Sequence, residues 1–328
     1  MEDRKKDHLQ LAFKASVKDS EKDNRFSYEP MLSSHTDFSF TPFPFLGKEM
    51  NYPFWISSMT GGTEMAGIIN KRLATAAGKY GLGMGLGSCR SLLENKNYFN
   101  DFCVRPYIGD KQPLYANFGI AQIEKMLDEN SIDQIQQIRK DLDADGIIVH
   151  INPLQEAFQP EGDLLKRPPI ETLTELLEMV ESPIIVKEVG QGMGYESLKA
   201  VLKLNIAAFE FGAWGGTNFT KLEKMRNKNS IHAFDDFINV GHDAHEMTLM
   251  VNQIYEETDI NCKQVIISGG IYSVLDAFYL HKICKIPSVI GMGSLFLEYA
   301  LKSEDDLDLF ISEMIEKWKL AEAFLRVK

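Results

Sequence analysis

From about residue 51 onward, short apolar runs alternate with amphipathic stretches, and the alternation repeats eight times. The apolar runs fall at 53–59, 81–87, 114–118, 146–151, 183–188, 207–211, 263–268 and 288–292. Most are rich in Ile, Val and Phe and apolar throughout, the pattern of strands buried on both faces of a parallel sheet. Between them, residues 64–79 put Ile68, Ile69, Leu73 and Ala76 on one helical face. Further helices are expected through about 142, near 195–204, near 273–282, and from 293 to the end. Eight strand–helix units favour a closed (β/α)8 barrel over an open doubly wound sheet. The chain therefore reads as an α/β protein, a single TIM barrel over 51–328, with irregular insertions at 90–110 and 213–245. An N-terminal extension of residues 1–50 precedes it, polar and irregular apart from a helix near 4–18. Thr41-Pro-Phe-Pro-Phe45 breaks regular structure and leads into the first strand.

In such a barrel the strand C-termini share one mouth, so polar residues there converge from distant positions. The richest end is the fourth. Alternation puts Ile148, His150 and Asn152 on one face, and Pro153 stops the ladder. Gln155 and Glu156 then stand at the mouth, ahead of the loop-like 159–163. A ring nitrogen, two amides and a carboxylate make a dense set of donors and acceptors with one candidate metal ligand. Equally, they describe a strand end whose polar groups satisfy one another. The other ends carry Ser58-Met59-Thr60, Ser88-Cys89-Arg90, Asn117, Lys187-Glu188, Gly215-Gly216-Thr217, Ser268-Gly269-Gly270 and Gly291-Met292-Gly293-Ser294. Glycine turns after strands seven and eight suit a phosphate held by backbone N–H groups, although glycines also simply permit tight turns. Lys187, inside an apolar strand, needs a partner: a cofactor ring or phosphate, or Glu188 or another local acid. The glycine runs at 81–87 and 190–194 lack dinucleotide spacing, and no GxSxG, HExxH or EF-hand pattern occurs.

Composition narrows the classes. With 44% hydrophobic and 25% charged residues the chain can bury a large core. A net charge of −12 argues against general nucleic-acid or anionic-membrane binding. No apolar stretch approaches ~20 residues, and the charged N-terminus lacks the apolar core of a secretory signal. Four cysteines without CxxC spacing read as reduced thiols in a cytoplasmic protein, with no zinc site.

Taken in order, Arg4-Lys5-x-x-His8, Ser58-Met59-Thr60-Gly61-Gly62, Gly87-Ser88-x-Arg90, Asn117-x-Gly119 and His150-x-Asn152-x-x-Gln155-Glu156 form a recognisable series. It continues through Gln159-Pro160-Glu161-Gly162-Asp163, Lys187-Glu188-Val189-Gly190-x-Gly192-Met193, Gly215-Gly216-Thr217-Asn218-Phe219 and Ser268-Gly269-Gly270. Over most of the chain this resembles the type 2 isopentenyl diphosphate isomerases, which are flavin-dependent (β/α)8 barrels. The resemblance implies an FMN site at Ser58, Met59, Thr60, Ser88, Asn117, Lys187 and Thr217, with phosphate at Gly269-Gly270 and Gly293-Ser294. It implies that Arg4, Lys5, His8, Arg90, His150 and Asn152 meet a prenyl diphosphate or its surroundings. Gln155 would lie at the reacting alkene, with His150 and Asn152 beside it in the catalytic group, and Glu156 would bind Mg²⁺. The implied reaction shifts a proton between isopentenyl and dimethylallyl diphosphate on reduced FMN, with NADPH as reductant, in a homo-oligomer of tetrameric or larger size.

The sequence departs from the family pattern at Leu164-Leu165-Lys166, Gly194, Val240-Gly241, Tyr272 and Gly293. Two alternatives stand beside the isomerase: an FMN-dependent oxidoreductase like the hydroxy-acid oxidases, and a flavin or prenyl-phosphate binder without turnover.

Overall fold

A computed structural model describes residues 2–35, 40–59, 63–226 and 235–328. Eight parallel strands close into a barrel in chain order. They are β1 (Phe54–Ile56), β2 (Gly83–Ser88), β3 (Leu114–Gly119), β4 (Gly146–Ile151), β5 (Ile184–Glu188), β6 (Ala208–Glu210), β7 (Val265–Ser268) and β8 (Ser288–Met292). Every strand position expected from the apolar runs is occupied, and no strand end differs from the expected one by more than three residues. The β1 strand, for example, ends at Ile56, although the Ser57 N–H still donates to Met292 O at 3.0 Å. The 90–110 insertion is more regular than expected: it holds short helices at Arg90–Glu94, Phe99–Phe102 and Arg105–Ile108. The N-terminal helix is shorter, Glu2–Leu11 rather than 4–18.

Period-two alternation sorts the barrel interior into layers. The lower layer is apolar: Trp55, Tyr115, Ile148, Ile185, Ala208, Ile266 and Val289 form one buried cluster with Phe45, Leu46 and Met50. The last three belong to an antiparallel hairpin, Phe43–Phe45 against Lys48–Met50, that plugs the barrel floor. The stretch expected to be a mere connection is thus a structural cap. Its turn puts Leu46 at φ 51° and Gly47 at φ 75°, and the Leu46 N–H donates to Gln264 Oε1 at 3.0 Å. Phe45 is 1% exposed in this plug. Phe45→Ala is expected to lower unfolding free energy by about 3–5 kcal/mol in chemical denaturation, the usual range for a deleted core ring. A loss under about 1 kcal/mol would show that the plug contributes little.

The strand β2 brings no interior side chain at Gly83, and the reason is Trp55. A Cβ on Gly83 would lie 2.4 Å from the indole Cε3, so the indole fills the space that glycine leaves. Two residues further along six of the strands the interior turns polar: Ser57, Asn117, His150, Lys187, Glu210 and Ser268. This layer is the floor of the mouth.

Outside, a continuous apolar core joins the barrel to its helices. The C-terminal helix Glu304–Phe324 buries Trp318 edge-on against Phe54 and Phe278. Beyond it Leu325–Val327 pairs antiparallel with Phe26–Tyr28, tying the extension to the chain's end. Among the described residues no helix is long and apolar enough to cross a membrane.

Candidate functional site

Pro153 at the first helical position ends β4 and starts a short helix, Pro153–Phe158, directly over the mouth. Asn152 precedes it, but its side chain does not cap the helix. Instead its Nδ2 donates to Gln155 Oε1 at 3.2 Å and to Glu156 Oε1 at 2.7 Å. The other Glu156 oxygen accepts the Asp163 N–H at 2.8 Å, closing the 159–163 loop onto the carboxylate. Arg90 reaches Asp163 at 3.3 Å. Gln155 Nε2 donates to Glu223 Oε1 at 3.3 Å, and Glu223 in turn holds Arg226 at 2.5 Å. Glu223 sits on the helix Phe219–Arg226, inside the insertion expected to be irregular, and nothing in the sequence pattern marked it. Asn152 Oδ1 is buried without a partner, an acceptor left for a ligand.

Beneath this group, His150 Nδ1 lies 2.9 Å from Asn117 Oδ1. With the amide oxygen facing it, Nδ1 carries the proton and Nε2 is a bare acceptor. Burial pushes the imidazole down to about 3, and the Lys187 ammonium adds to the shift, so the ring is neutral over the physiological range. Lys187 itself, 7% exposed, donates to the Glu188 main-chain oxygen at 2.8 Å. The alternative partner named from sequence, the Glu188 carboxylate, points the other way. Its Oε2 accepts N–H groups from Gly190 and Gln191 at 2.6 Å and Gly192 at 2.8 Å.

Burial outweighs those three hydrogen bonds and raises the Glu188 carboxyl to about 7. A raised folded value means that the folded protein binds the extra proton between the unfolded value, about 4.5, and about 7. The stabilisation from that proton is present at low pH and lost as pH rises through about 7. Stability is therefore expected to fall between pH 5 and 8 through this group, and Glu188→Gln to flatten that slope in denaturant titrations. An unchanged slope in the variant would remove Glu188 as its source.

Beside the His150 group opens a cavity of about 400 Å³. Of the residues expected at a cofactor, Ser58, Met59, Lys187, Thr217, Gly269, Gly270, Gly293 and Ser294 line it. Gly269 and Gly270 adopt φ 92° and 66°, and a Cβ on Gly269 would lie 2.1 Å from Ala213 O. Among the described residues, the N–H groups of Gly215, Gly216, Gly269 and Gly270 meet no backbone acceptor. Unpaired N–H groups from two adjacent loops, next to the start of the helix Ser294–Lys302, make a cradle for a phosphate-sized anion. Tyr272 spans the two loops, its hydroxyl donating to Gly215 O at 2.6 Å. A Cβ at Gly293 would meet the Met59 sulfur at 2.5 Å, so the flexible thioether occupies the room that this departure from the family pattern opens. At Gly194 a side chain would meet His242 Nε2 at 3.1 Å.

Glu210 and Ser57 also belong to the cavity, and sequence reasoning passed over both. The signal was there: each lies two positions beyond a lower-layer residue, on the face that alternation turns inward.

Other expected residues stand apart from the cavity. Asn117 lies below the mouth with His150, and Ser88 is exposed at the end of β2. Thr60 lies outside the described residues. Arg4, Lys5 and His8 are exposed on the N-terminal helix, and no hydrogen bond or ion pair among the described residues joins them to the barrel.

No family model matches the chain. Curated relatives match nearly end to end. Isopentenyl-diphosphate delta-isomerase of Rickettsia prowazekii is 34% identical over 324 residues, covering 97% of this chain and 92% of that protein. The isomerase of Nostoc sp. is 34% identical over 311 residues (92% and 85%), and that of Pelodictyon phaeoclathratiforme 32% over 288 (84% and 80%). Similar solved structures include a flavocytochrome b2 mutant with pyruvate bound, TM-score 0.61 at 12% identity, covering 91% of this chain and 72% of that one. A mandelate oxidase mutant with (S)-mandelic acid gives 0.58 at 13%, covering 93% and 87%. At such identities these structures share the barrel and carry no more than that.

Proposed function

The chain belongs to the type 2 isopentenyl diphosphate isomerase family, and from that premise we propose that it interconverts isopentenyl and dimethylallyl diphosphate on reduced FMN held in the cavity. The reading rests on one observation above all. A chain 34% identical to an isomerase over 324 residues keeps Asn152, Gln155 and Glu156 as one hydrogen-bonded group at the barrel mouth.

The cavity suits FMN on its own terms. Unpaired N–H groups at the Gly215–Gly216 and Gly269–Gly270 turns would take the phosphate. Lys187 and the partnerless, buried Ser58 hydroxyl would meet the polar edge of the ring. When bound and reduced, FMN supplies the acid and base that a proton shift on an unactivated alkene demands, which protein amides cannot. NADPH is the proposed reductant.

The chain's own residues position the substrate. Gln155, fixed from both sides by Asn152 and Glu223, would orient the alkene. Neutral His150, with Nε2 as acceptor, would hold a protonated diphosphate oxygen or an ordered water rather than contribute a cation. Glu156 would bind Mg²⁺ together with diphosphate oxygens and water, the ion's usual coordination. Among the described residues no cluster of three or more His, Cys, Asp or Glu could hold a metal without the substrate. Arg90 and, on closure of the N-terminal helix as a lid, Arg4, Lys5 and His8 would neutralise the diphosphate. We place the enzyme in the cytoplasm as a tetramer or larger assembly.

The test is conversion of isopentenyl diphosphate by purified protein with FMN, NADPH or dithionite and Mg²⁺, omitting one component at a time. Dimethylallyl diphosphate is expected only when reduced flavin and Mg²⁺ are both present. Turnover that persists without flavin would overturn the reading.

A further inference from the structure

Glu210 is the least accessible acid in the barrel, 0% exposed at the C-terminal end of β6. Its register partner across β5 is Lys187, and both side chains turn into the polar layer of the interior. Yet no ion pair forms between them within 4 Å. Oε1 accepts the Ser57 hydroxyl at 2.6 Å, whereas Oε2 is buried with no hydrogen-bond partner, and the residue lines the cavity. The Ser268 hydroxyl is near enough to favour the carboxylate without closing a hydrogen bond to Oε2.

A lone buried oxygen admits two descriptions. As a carboxylate, Oε2 is an unsatisfied anion in a low-dielectric barrel, which is costly even with an ammonium beyond contact range. As a carboxylic acid, Oε1 remains the acceptor that Ser57 already uses and Oε2 carries the proton. That proton has no acceptor among the described protein groups, and the cavity that Glu210 lines is where a ligand could supply one.

The opposing forces can be ranked. Desolvation favours the acid and is the largest; the Lys187 charge, Ser57 and Ser268 favour the carboxylate and together fall short, so the carboxyl lies above its ordinary range. No other charge facing Glu210 enters that balance, because His150, on the next strand but one, is neutral.

We infer that Glu210 is a cofactor-contacting residue held as a neutral carboxylic acid, whose Oε2–H donates a hydrogen bond to an oxygen or nitrogen of FMN in the cavity. The inference rests on the assignment of FMN to this cavity. Glu210 and Lys187 then act as a pair of donors, one neutral and one charged, against the same polar edge of the ring. A neutral donor adds a hydrogen bond without cancelling the lysine's charge, so electron density gathered on the reduced ring stays stabilised.

The experiment has two readouts. Infrared difference spectra of the protein without ligand, wild type minus Glu210→Gln at pH 8, are expected to show the C=O stretch of a protonated carboxyl. At that pH Glu188 is ionised and contributes none. In FMN titrations followed by fluorescence, Glu210→Gln, which keeps a donor at the Oε2 position, is expected to bind within about threefold of wild type. Glu210→Leu, which removes it, is expected to bind about tenfold more weakly, the scale of one hydrogen bond. Absence of the carboxyl band, or a glutamine variant as weak as the leucine one, would overturn the inference. So would a leucine variant that binds as well as wild type. If Glu210→Leu fails to fold, the band and the glutamine variant decide. Wild-type protein that takes up no FMN at all would overturn the cavity assignment as well, which separates the two failures.

Discussion

Glu156→Gln protein is expected to isomerise isopentenyl diphosphate about a hundredfold or more slowly than wild type at fixed Mg²⁺, with an unchanged melting transition. The magnitude follows from removing one preorganised charge at the site proposed to gather a diphosphate and a divalent ion. Glutamine keeps the shape, and its carbonyl oxygen can still accept from Asn152 Nδ2, which the carboxylate now holds at 2.7 Å. The amide end would then face the Asp163 N–H, where a carboxylate oxygen accepts at 2.8 Å. That clash of donors loosens the 159–163 loop but leaves the barrel alone, because Glu156 contributes nothing to the interior layers. The loss should appear mainly as a raised Mg²⁺ requirement, part of it recovered at high Mg²⁺. A variant with wild-type turnover at low Mg²⁺ would take Glu156 out of the metal's coordination.

Gln155→Ala separates a neighbouring question, since the same helix turn carries both side chains. Its amide bridges Asn152 and Glu223. Truncation therefore removes one tie between the helix Phe219–Arg226 and the mouth as well as the proposed contact to the alkene. Glu223→Gln tests that bridge from the other side, and Glu223 lies outside the motif.

That contrast shows what the sequence could and could not disclose. The barrel was legible because eight apolar runs, each with its helix, leave few other arrangements. The HxNxxQE group was legible because its members are neighbours in the chain, so strand alternation and one proline place them together. Glu223 reaches Gln155 from 68 residues away, and only the folded chain brings the two side chains within hydrogen-bonding distance. The floor plug was misread for a physical reason: Pro44 lies in a two-stranded edge hairpin, where proline is tolerated, whereas the dipeptide pattern spoke only of broken structure. Arg4, Lys5 and His8 are a different case. The resemblance implies a place for them at the diphosphate, while the structure holds them exposed on the N-terminal helix. Among the described residues no hydrogen bond or ion pair joins this charged segment to the barrel, so the structure alone gives no sign of the role that the motif implies.

Lys187→Met should have the largest effect on the cofactor. The residue is 7% exposed and lines the cavity, and its ammonium spends one of three donors on Glu188 O. A charged hydrogen bond contributes about 1.5–3 kcal/mol, so FMN affinity is expected to fall by about ten- to a hundredfold or more. Methionine matches the stem and buries no charge, so the fold should be as stable or more so, and a denaturation curve will separate lost binding from lost structure. Arginine is expected not to rescue it, because a planar fork cannot reach Glu188 O and the ring edge from the same strand position. The pair with Glu210 sharpens the result. If Glu210 is neutral, removing its charge potential by Glu210→Gln changes little for Lys187, and the double-mutant cycle on FMN affinity should be nearly additive. If Glu210 were ionised, the glutamine variant would leave Lys187 uncompensated, tighten the hold on an anionic phosphate and reduced ring, and produce a large coupling. Titration of FMN into the four proteins of that cycle therefore reports, with one number, which protonation state the barrel floor keeps.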